Sequence, residues 1–134
     1  MKLGFIGTGE ITKALVIGIL GSKIKFKKIY LSKRNSKISA FLTKKSKKIQ
    51  IEKNNQHLIN KSDWVFLAVT PKVGNQIIRK LNFKKIKPVD VLVGGFPCQA
   101  FSVAGYRKGF RDPRGNLFYE IIRIIKFNNS SNSS

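Results

Sequence analysis

The chain has 134 residues, enough for one domain that buries ~65–70% of its unfolded surface, and its apolar content of 42% is that of a globular protein. No apolar run approaches the ~20 residues that a membrane-spanning helix needs, and the run after Lys2 stops at Gly7-Thr8-Gly9-Glu10, too soon for a signal peptide. One cysteine, Cys98, excludes an internal disulfide and fits a reducing compartment, so a cytoplasmic protein with no membrane partner is expected. The net charge of +21 comes from lysines scattered along the chain rather than gathered on one element. A lysine-rich compositional bias accounts for it better than a dedicated surface, although weak, salt-sensitive binding to nucleic acid follows from the charge alone.

Leu3 to Ile6 reads as a short buried strand, Gly7-Thr8-Gly9 as a tight turn, and Ile11, Ala14, Leu15, Gly18 and Ile19 as the inward face of a helix. Strand, glycine turn and helix make a dinucleotide-binding opening, in which helix-start N–H groups face a pyrophosphate that the glycines admit. Thr12 departs from the G-x-G-x-x-G/A pattern at its last position. Lys27 to Ser32 is the second strand and ends in Ser32-Lys33-Arg34-Asn35. An acid here holds the ribose hydroxyls of NAD, whereas a basic residue suits the 2′-phosphate of NADP. Ser32, Arg34 and Asn35 can all donate to a phosphate, so NADP(H) is the expected nucleotide.

Ser36 is placed to cap a helix through Lys45, with Ile38, Phe41 and Leu42 inward. Ile49 to Ile51 is a short strand, and Asn54-Asn55-Gln56 turns into a brief helix. His57, the single histidine, has no nucleophile or metal ligands beside it in sequence and is given no role; no metal site is expected. Trp64 to Val69 is unbroken and apolar, as in a central parallel strand covered on both faces. Val73 to Leu81 forms a helix, Lys84 to Pro88 a basic connector, and Val91 to Val93 a further strand. Phe96 to Gly115 is rich in glycine and proline and reads as loop. Asn116 to Lys126 is amphipathic, with Leu117, Ile121, Ile124 and Ile125 on one side, and the tail after it is low in complexity and expected to be disordered. The alternation predicts an α/β, Rossmann-like three-layer domain with a parallel sheet, followed by a loop-rich segment ending in a helix.

Residues 1–85 carry four landmarks in order: Gly4-Phe-Ile-Gly-Thr-Gly-Glu-Ile11, Ser32-Lys-Arg-Asn35, Asn55 and Ser62-Asp-Trp-Val-Phe-Leu-Ala-Val-Thr-Pro71. In these the chain resembles the N-terminal domain of pyrroline-5-carboxylate reductase, an NADPH-dependent imine reductase of proline synthesis. The resemblance implies that Ile6, Gly7, Thr8, Gly9, Glu10 and Ile11 cradle the pyrophosphate. It also implies that Ser32, Arg34 and Asn35 meet the 2′-phosphate, and that Asn55, Ala68, Val69, Thr70 and Pro71 line the adenosine and nicotinamide side. Thr70 stands where that family usually has lysine. The sequence has no counterpart of the family's helical second domain, and hydride transfer needs the imine held closely against the nicotinamide.

Residues 88–126 carry Asp90-Val-Leu-Val-Gly-Gly-Phe-Pro-Cys-Gln-Ala-Phe-Ser102, Gly105-Tyr-Arg-Lys-Gly-Phe-Arg-Asp112 and Arg114-Gly-Asn-Leu-Phe118. In these the chain resembles a second family, the DNA (cytosine-5)-methyltransferases, around their catalytic loop. The resemblance implies that Cys98 is a covalent nucleophile toward cytosine C6, with S-adenosylmethionine as methyl donor and DNA as partner. Pro97 stiffens its loop, with Gln99 beside it. Ser102, Arg107, Lys108 and Arg111 would contact flanking phosphates, and Arg114 would support the loop from its downstream block. The family's Glu-Asn-Val block, its later Arg-x-Arg element, its target-recognition domain and its own Phe-x-Gly-x-Gly cofactor strand have no counterpart in the sequence.

Three readings remain open on sequence alone: a cytosine methyltransferase, an NADP-dependent reductase, and a truncated or chimeric chain that at most binds NADP. The methyltransferase is favoured for the chemistry, because Cys98 is the residue with an identifiable catalytic role. The third is favoured for turnover by this chain alone. The expected organisation is a nucleotide-binding domain over 1–85, a methyltransferase catalytic-loop segment over 86–126 and a tail over 127–134. Val91 to Val93 is expected to add a parallel strand to the same sheet, with the Cys98 loop at its carboxyl edge.

Overall fold

The computed structural model describes residues 1–82 together with 85, 86, 119, 122–124 and 126. The strand expected at 91–93, the Cys98 loop and the tail lie outside the described residues. Eight elements follow one another: β1 (Lys2–Ile6), α1 (Glu10–Gly21), β2 (Lys28–Ser32), α2 (Ser36–Lys45), β3 (Ile49–Glu52), α3 (Asn55–Lys61), β4 (Trp64–Leu67) and α4 (Pro71–Lys80). The chain divides into two compact units, Met1–Val69 and Thr70–Ser134, so the junction expected near residue 85 falls inside the second.

In the first unit the four strands are all parallel, in the order β3-β2-β1-β4. This is the expected α/β Rossmann-like sheet. Strand alternation sends Leu3, Phe5, Ile29, Leu31 and Ile49 to one face, where they pack with Val16 of α1 and Leu42 of α2. Phe66 of β4 stacks on Phe5 with ring centroids 4.7 Å apart. The opposite face is covered by α3, whose Leu58 is fully buried. Gly4 permits that contact: a Cβ there would lie 2.6 Å from Leu58 Cδ2 and collide with the Ser62 hydroxyl.

Several local expectations change. The buried residues of α1 are Thr12 and Val16, with Ile19 and Leu20 partly covered, whereas Ile11 is 70% exposed and Ala14, Leu15 and Gly18 are also outward. The apolar stripe at 11, 14, 15 and 18 has the right period and the wrong phase, because Thr12 is drawn in by donating its hydroxyl proton to the Gly7 carbonyl. Asn35, not Ser36, caps α2: its Oδ1 accepts the Ile38 N–H at 3.2 Å. Phe41 is exposed rather than inward, and the ammonium groups of Lys13 and Lys45 lie 5.3 and 5.1 Å from its ring centroid. The apolar run 64–69 is not a central, doubly covered strand among the described residues. Of the described strands it is the last on its side of the sheet, β4, with Trp64, Val65 and Leu67 exposed.

In the second unit, α4 starts two residues earlier than the apolar spacing predicts. Pro71 takes its first position, where the missing N–H costs nothing, and the Thr70 carbonyl accepts the Gly74 N–H at 2.8 Å. Residues 119, 122–124 and 126 are helical, as expected of the 116–126 segment. Arg123 Nη2 donates to the Ile78 carbonyl at 3.1 Å, supplying a donor near the carboxyl end of α4.

The two glycines Gly4 and Gly18 should respond oppositely to alanine. Gly4→Ala overpacks the α3 contact and is expected to lower stability by ~1–3 kcal/mol. Gly18→Ala adds a Cβ into open space within α1 and is expected to raise it by ~0.5–1 kcal/mol. Urea unfolding with an unchanged slope measures both; a destabilising Gly18→Ala would contradict the outward placement of that face.

Candidate functional site

In a parallel sheet of this order, the crossover from β3 to β4 carries the chain to the other side of β1, and the carboxyl ends of β1 and β4 flank the switch point where α/β proteins bind ligands. Gly7 sits there. Its φ is +98°, a conformation that a side chain disfavours, and a Cβ would overlap the Ala68 carbonyl and lie 2.5 Å from Val69 Cγ1. The Ala68 N–H donates to the Ile6 carbonyl at 2.8 Å, which holds the two strand ends together.

The turn is also tied to β2. The Gly7 N–H donates to Ser32 Oγ at 2.9 Å, and Thr8 Oγ1 donates to the Ser32 carbonyl at 2.6 Å. Thr8, Thr12 and Ser32 are all buried. Their hydroxyls shape the turn from within, which gives Thr12 a role at the position where the glycine pattern is broken. The donors left at the surface are the first-turn N–H groups of α1, which receive no side-chain cap from Gly9. Gly9 itself has φ −99°, and a Cβ there would meet nothing within 4 Å. Neither backbone strain nor packing within the protein demands glycine at this position. The space it leaves lies at the helix start.

The sequence-predicted residues divide accordingly. Ile6 ends β1, Gly7, Thr8 and Gly9 form the turn, Glu10 and Ile11 open α1, and Ala68 and Val69, just after β4, meet Gly7. Ser32 closes β2 with its hydroxyl engaged, while Lys33 and Arg34 are exposed. Asn35 uses its carbonyl oxygen on the α2 cap and keeps its amide N–H groups for other partners. Asn55 is the first residue of α3, whose cap is Asn54: its Oδ1 accepts the His57 N–H at 2.8 Å. Thr70 and Pro71 open the second unit. Pro97, Cys98, Gln99, Ser102, Arg107, Lys108, Arg111 and Arg114 lie outside the described residues. Among the described residues no three His, Cys, Asp or Glu side chains converge as a metal site, and no helix is long and apolar enough to cross a membrane.

One charged pair was not foreseen. Glu52, at the carboxyl end of β3 in register with Ser32, is buried, and its Oε1 accepts from Lys61 Nζ at 2.9 Å. Lys61 also lies 5.7 Å from the Tyr30 ring centroid. Nothing local in the sequence pairs residues nine apart across a turn and a helix. The hydrogen bond to Glu52 raises the Lys61 pKa above its ordinary 10.5, outweighing the opposite pull of desolvation.

Comparison with known proteins adds the following. A profile described as C-5 cytosine-specific DNA methylase matches residues 56–131, more than half of the chain, beginning within α3 and running through β4 and α4. A type II methyltransferase, M1.ScrFI of Lactococcus lactis subsp. cremoris, is 63% identical over 49 residues, 37% of this chain and 13% of that protein. The orphan methyltransferase M.Rho11sI of Bacillus phage rho11s is 57% identical over 49 residues, again 37% of this chain and 10% of the relative. Type II methyltransferase M.HhaI of Haemophilus parahaemolyticus is 53% identical over 49 residues, 37% of this chain and 15% of its own length. The chain therefore spans a small fraction of the length of the curated relatives it matches.

The Glu52–Lys61 pair makes a pH prediction. A raised lysine pKa means that the pair's contribution is fully present below the unfolded-state value and is lost as pH rises through the higher folded-state value. The stability gap between the wild type and Lys61→Met should stay constant from neutral pH to about 10 and shrink above 10.5. Taking the difference removes the other lysines, whose neutralisation relieves self-repulsion in both proteins. Thermal midpoints across that range measure it, and a gap that persists at the highest pH would exclude the pair as its source.

Proposed function

Because the chain belongs to the C-5 cytosine-specific DNA methylase family, we propose that it carries the nucleophile of a DNA cytosine-5 methyltransferase, with Cys98 as the attacking group. The observation that carries this reading is the family match across 56–131, which encloses Pro97-Cys98-Gln99 and the Arg114-Gly-Asn-Leu-Phe118 block. Cytosine C5 is a poor nucleophile. Addition of the Cys98 thiolate to C6 shifts the ring electrons toward C5, which then behaves as an enamine carbon. S-adenosylmethionine supplies the electrophilic methyl group in this chemistry. Loss of the C5 proton then expels Cys98, restores the ring and regenerates the thiolate. The base must first leave the duplex. Ser102, Arg107, Lys108 and Arg111 are assigned to flanking phosphates, and Arg114 to support of the loop.

The first unit supports a second reading of its own, an NADP(H)-type nucleotide site of the kind found in pyrroline-5-carboxylate reductase. What favours it is the carboxyl end of β2, where Lys33 and Arg34 are exposed and no acid stands to accept from ribose hydroxyls. A pyrophosphate with an added phosphate is the better match. Uncapped N–H groups, the open space at Gly9 and the Arg34 guanidinium would hold it.

Each reading has its own test. Incubation with duplex DNA containing 5-fluorocytosine and S-adenosylmethionine should give a covalent protein–DNA adduct, because fluorine cannot leave as the C5 proton does. Cys98→Ser should give none, and an adduct persisting in that variant excludes Cys98 as the nucleophile. For the nucleotide site, Gly9→Val should lower the thermal midpoint of the free protein only by the modest cost of a poorer N-cap and weaken NADPH binding about tenfold or more in calorimetric titration, a loss of about 1.4 kcal/mol. NADPH binding that is indifferent to Gly9→Val would remove the turn from consideration.

A further inference from the structure

The lysines that look scattered in the sequence are gathered by the topology. In an all-parallel sheet every connection that enters a strand lies at the same edge. Lys23, Lys25 and Lys27 stand in the connection entering β2, and Lys47 and Lys48 in the connection entering β3. Lys2 and Lys28 open β1 and β2 and are direct register partners. Backbone hydrogen bonds tie these positions into a row: Lys27 N–H donates to the Met1 carbonyl at 2.7 Å, and Ile29 N–H to the Lys48 carbonyl at 2.9 Å. Lys44 and Lys45, in the last turn of α2, add to the same edge.

Almost nothing offsets this charge. The loop lysines are exposed, and the ion pairs among the described residues, Glu10–Lys13 and Glu52–Lys61, involve none of them. Among the described residues Asp63 is the acid at this edge, and its Oδ2 accepts the Lys2 backbone N–H at 2.7 Å. Among the same residues the edge has no arginine to read a base edge in a bidentate way. Flexible ammonium groups on adjacent strands, roughly 4.8 Å apart at the backbone, suit a run of phosphates instead. Phe26 is packed against the core with Lys48 above its ring, and Met1, Ile24 and Trp64, which opens β4, are the exposed apolar side chains here. The match to a DNA methylase family favours a nucleic acid over an anionic membrane as the polyanion, so the inference rests on that reading, and the vesicle arm of the test below separates the two.

We propose that the amino edge of the sheet is a sequence-independent binding surface for the phosphate backbone of duplex DNA, at the opposite edge from the Gly7 turn. It holds duplex near the protein without contributing to base choice. The test is fluorescence anisotropy of a labelled duplex oligonucleotide with the full chain, repeated at rising KCl. Replacing Lys25, Lys27, Lys47 and Lys48 together by glutamine should make the slope of log K against log salt shallower by roughly 3–4, about 0.9 for each lost phosphate contact. Replacing Lys13, Lys33, Lys37 and Lys53 by glutamine removes the same charge elsewhere and should change it by less than about 1. Circular dichroism confirms that both variants fold.

Equal slopes in the two variants would reduce the effect to net charge and overturn the proposal, as would absence of duplex binding by the wild type. Phosphatidylserine vesicles serve as the competing surface: amino-edge substitutions that release vesicles and spare DNA would also overturn it. Cys98→Ser should leave the slope unchanged, so failure of the nucleophile assignment and failure of this surface are read separately.

Discussion

The Gly7 peptide is the constraint on which the first unit depends. Its N–H is taken by the Ser32 hydroxyl, its carbonyl by the Thr12 hydroxyl, and its Cα faces the Ala68 carbonyl with no room for a side chain. Three strand ends and the first turn of α1 therefore converge on one residue in a left-handed conformation. Each contact is of ordinary strength, about 0.5–1.5 kcal/mol for a hydrogen bond. Together they fix the angle at which α1 leaves the sheet. That angle places uncapped N–H groups at the carboxyl edge and turns Thr12 and Val16, rather than Ile11 and Leu15, toward the core.

Charge separates the two edges of this sheet. The carboxyl edge combines helix-start donors with Lys33 and Arg34, while Glu52 is buried against Lys61 and withdrawn from the surface. The amino edge carries Lys2, Lys28 and the lysines of the connections entering β2 and β3, with Asp63 beside them. An anionic ligand is attracted to either, but the surroundings differ. Fixed backbone donors beside a shaped turn favour a small, oriented anion. Mobile ammonium groups on loops favour a long polyanion that needs no orientation.

The candidate sites were legible to different degrees. The Cys98 segment could be read because its chemistry is written in contiguous residues, Pro97-Cys98-Gln99 with a downstream Arg114 block, and the family match encloses that segment. The glycine turn was legible for the same reason: β1, turn and helix are consecutive. Ser32 was harder. Its residue type suits a phosphate donor, but its hydroxyl accepts from Gly7, a partner 25 positions away. Asn35 is similar, with its oxygen used to cap α2. The Glu52–Lys61 pair carried no local signal at all.

From its sequence alone this chain determined where strands and helices form and that they alternate, since period, glycine and capping residues act over a few positions. It also determined the contiguous Pro97-Cys98-Gln99 segment and the total charge. Only the tertiary structure decided which stripe of α1 is buried, because the Thr12–Gly7 bond, not hydrophobicity, sets the helix phase. Only the tertiary structure placed the apolar run of β4 at one end of the described sheet. It alone collected dispersed lysines on one edge, since parallel strands return every incoming loop to the same side.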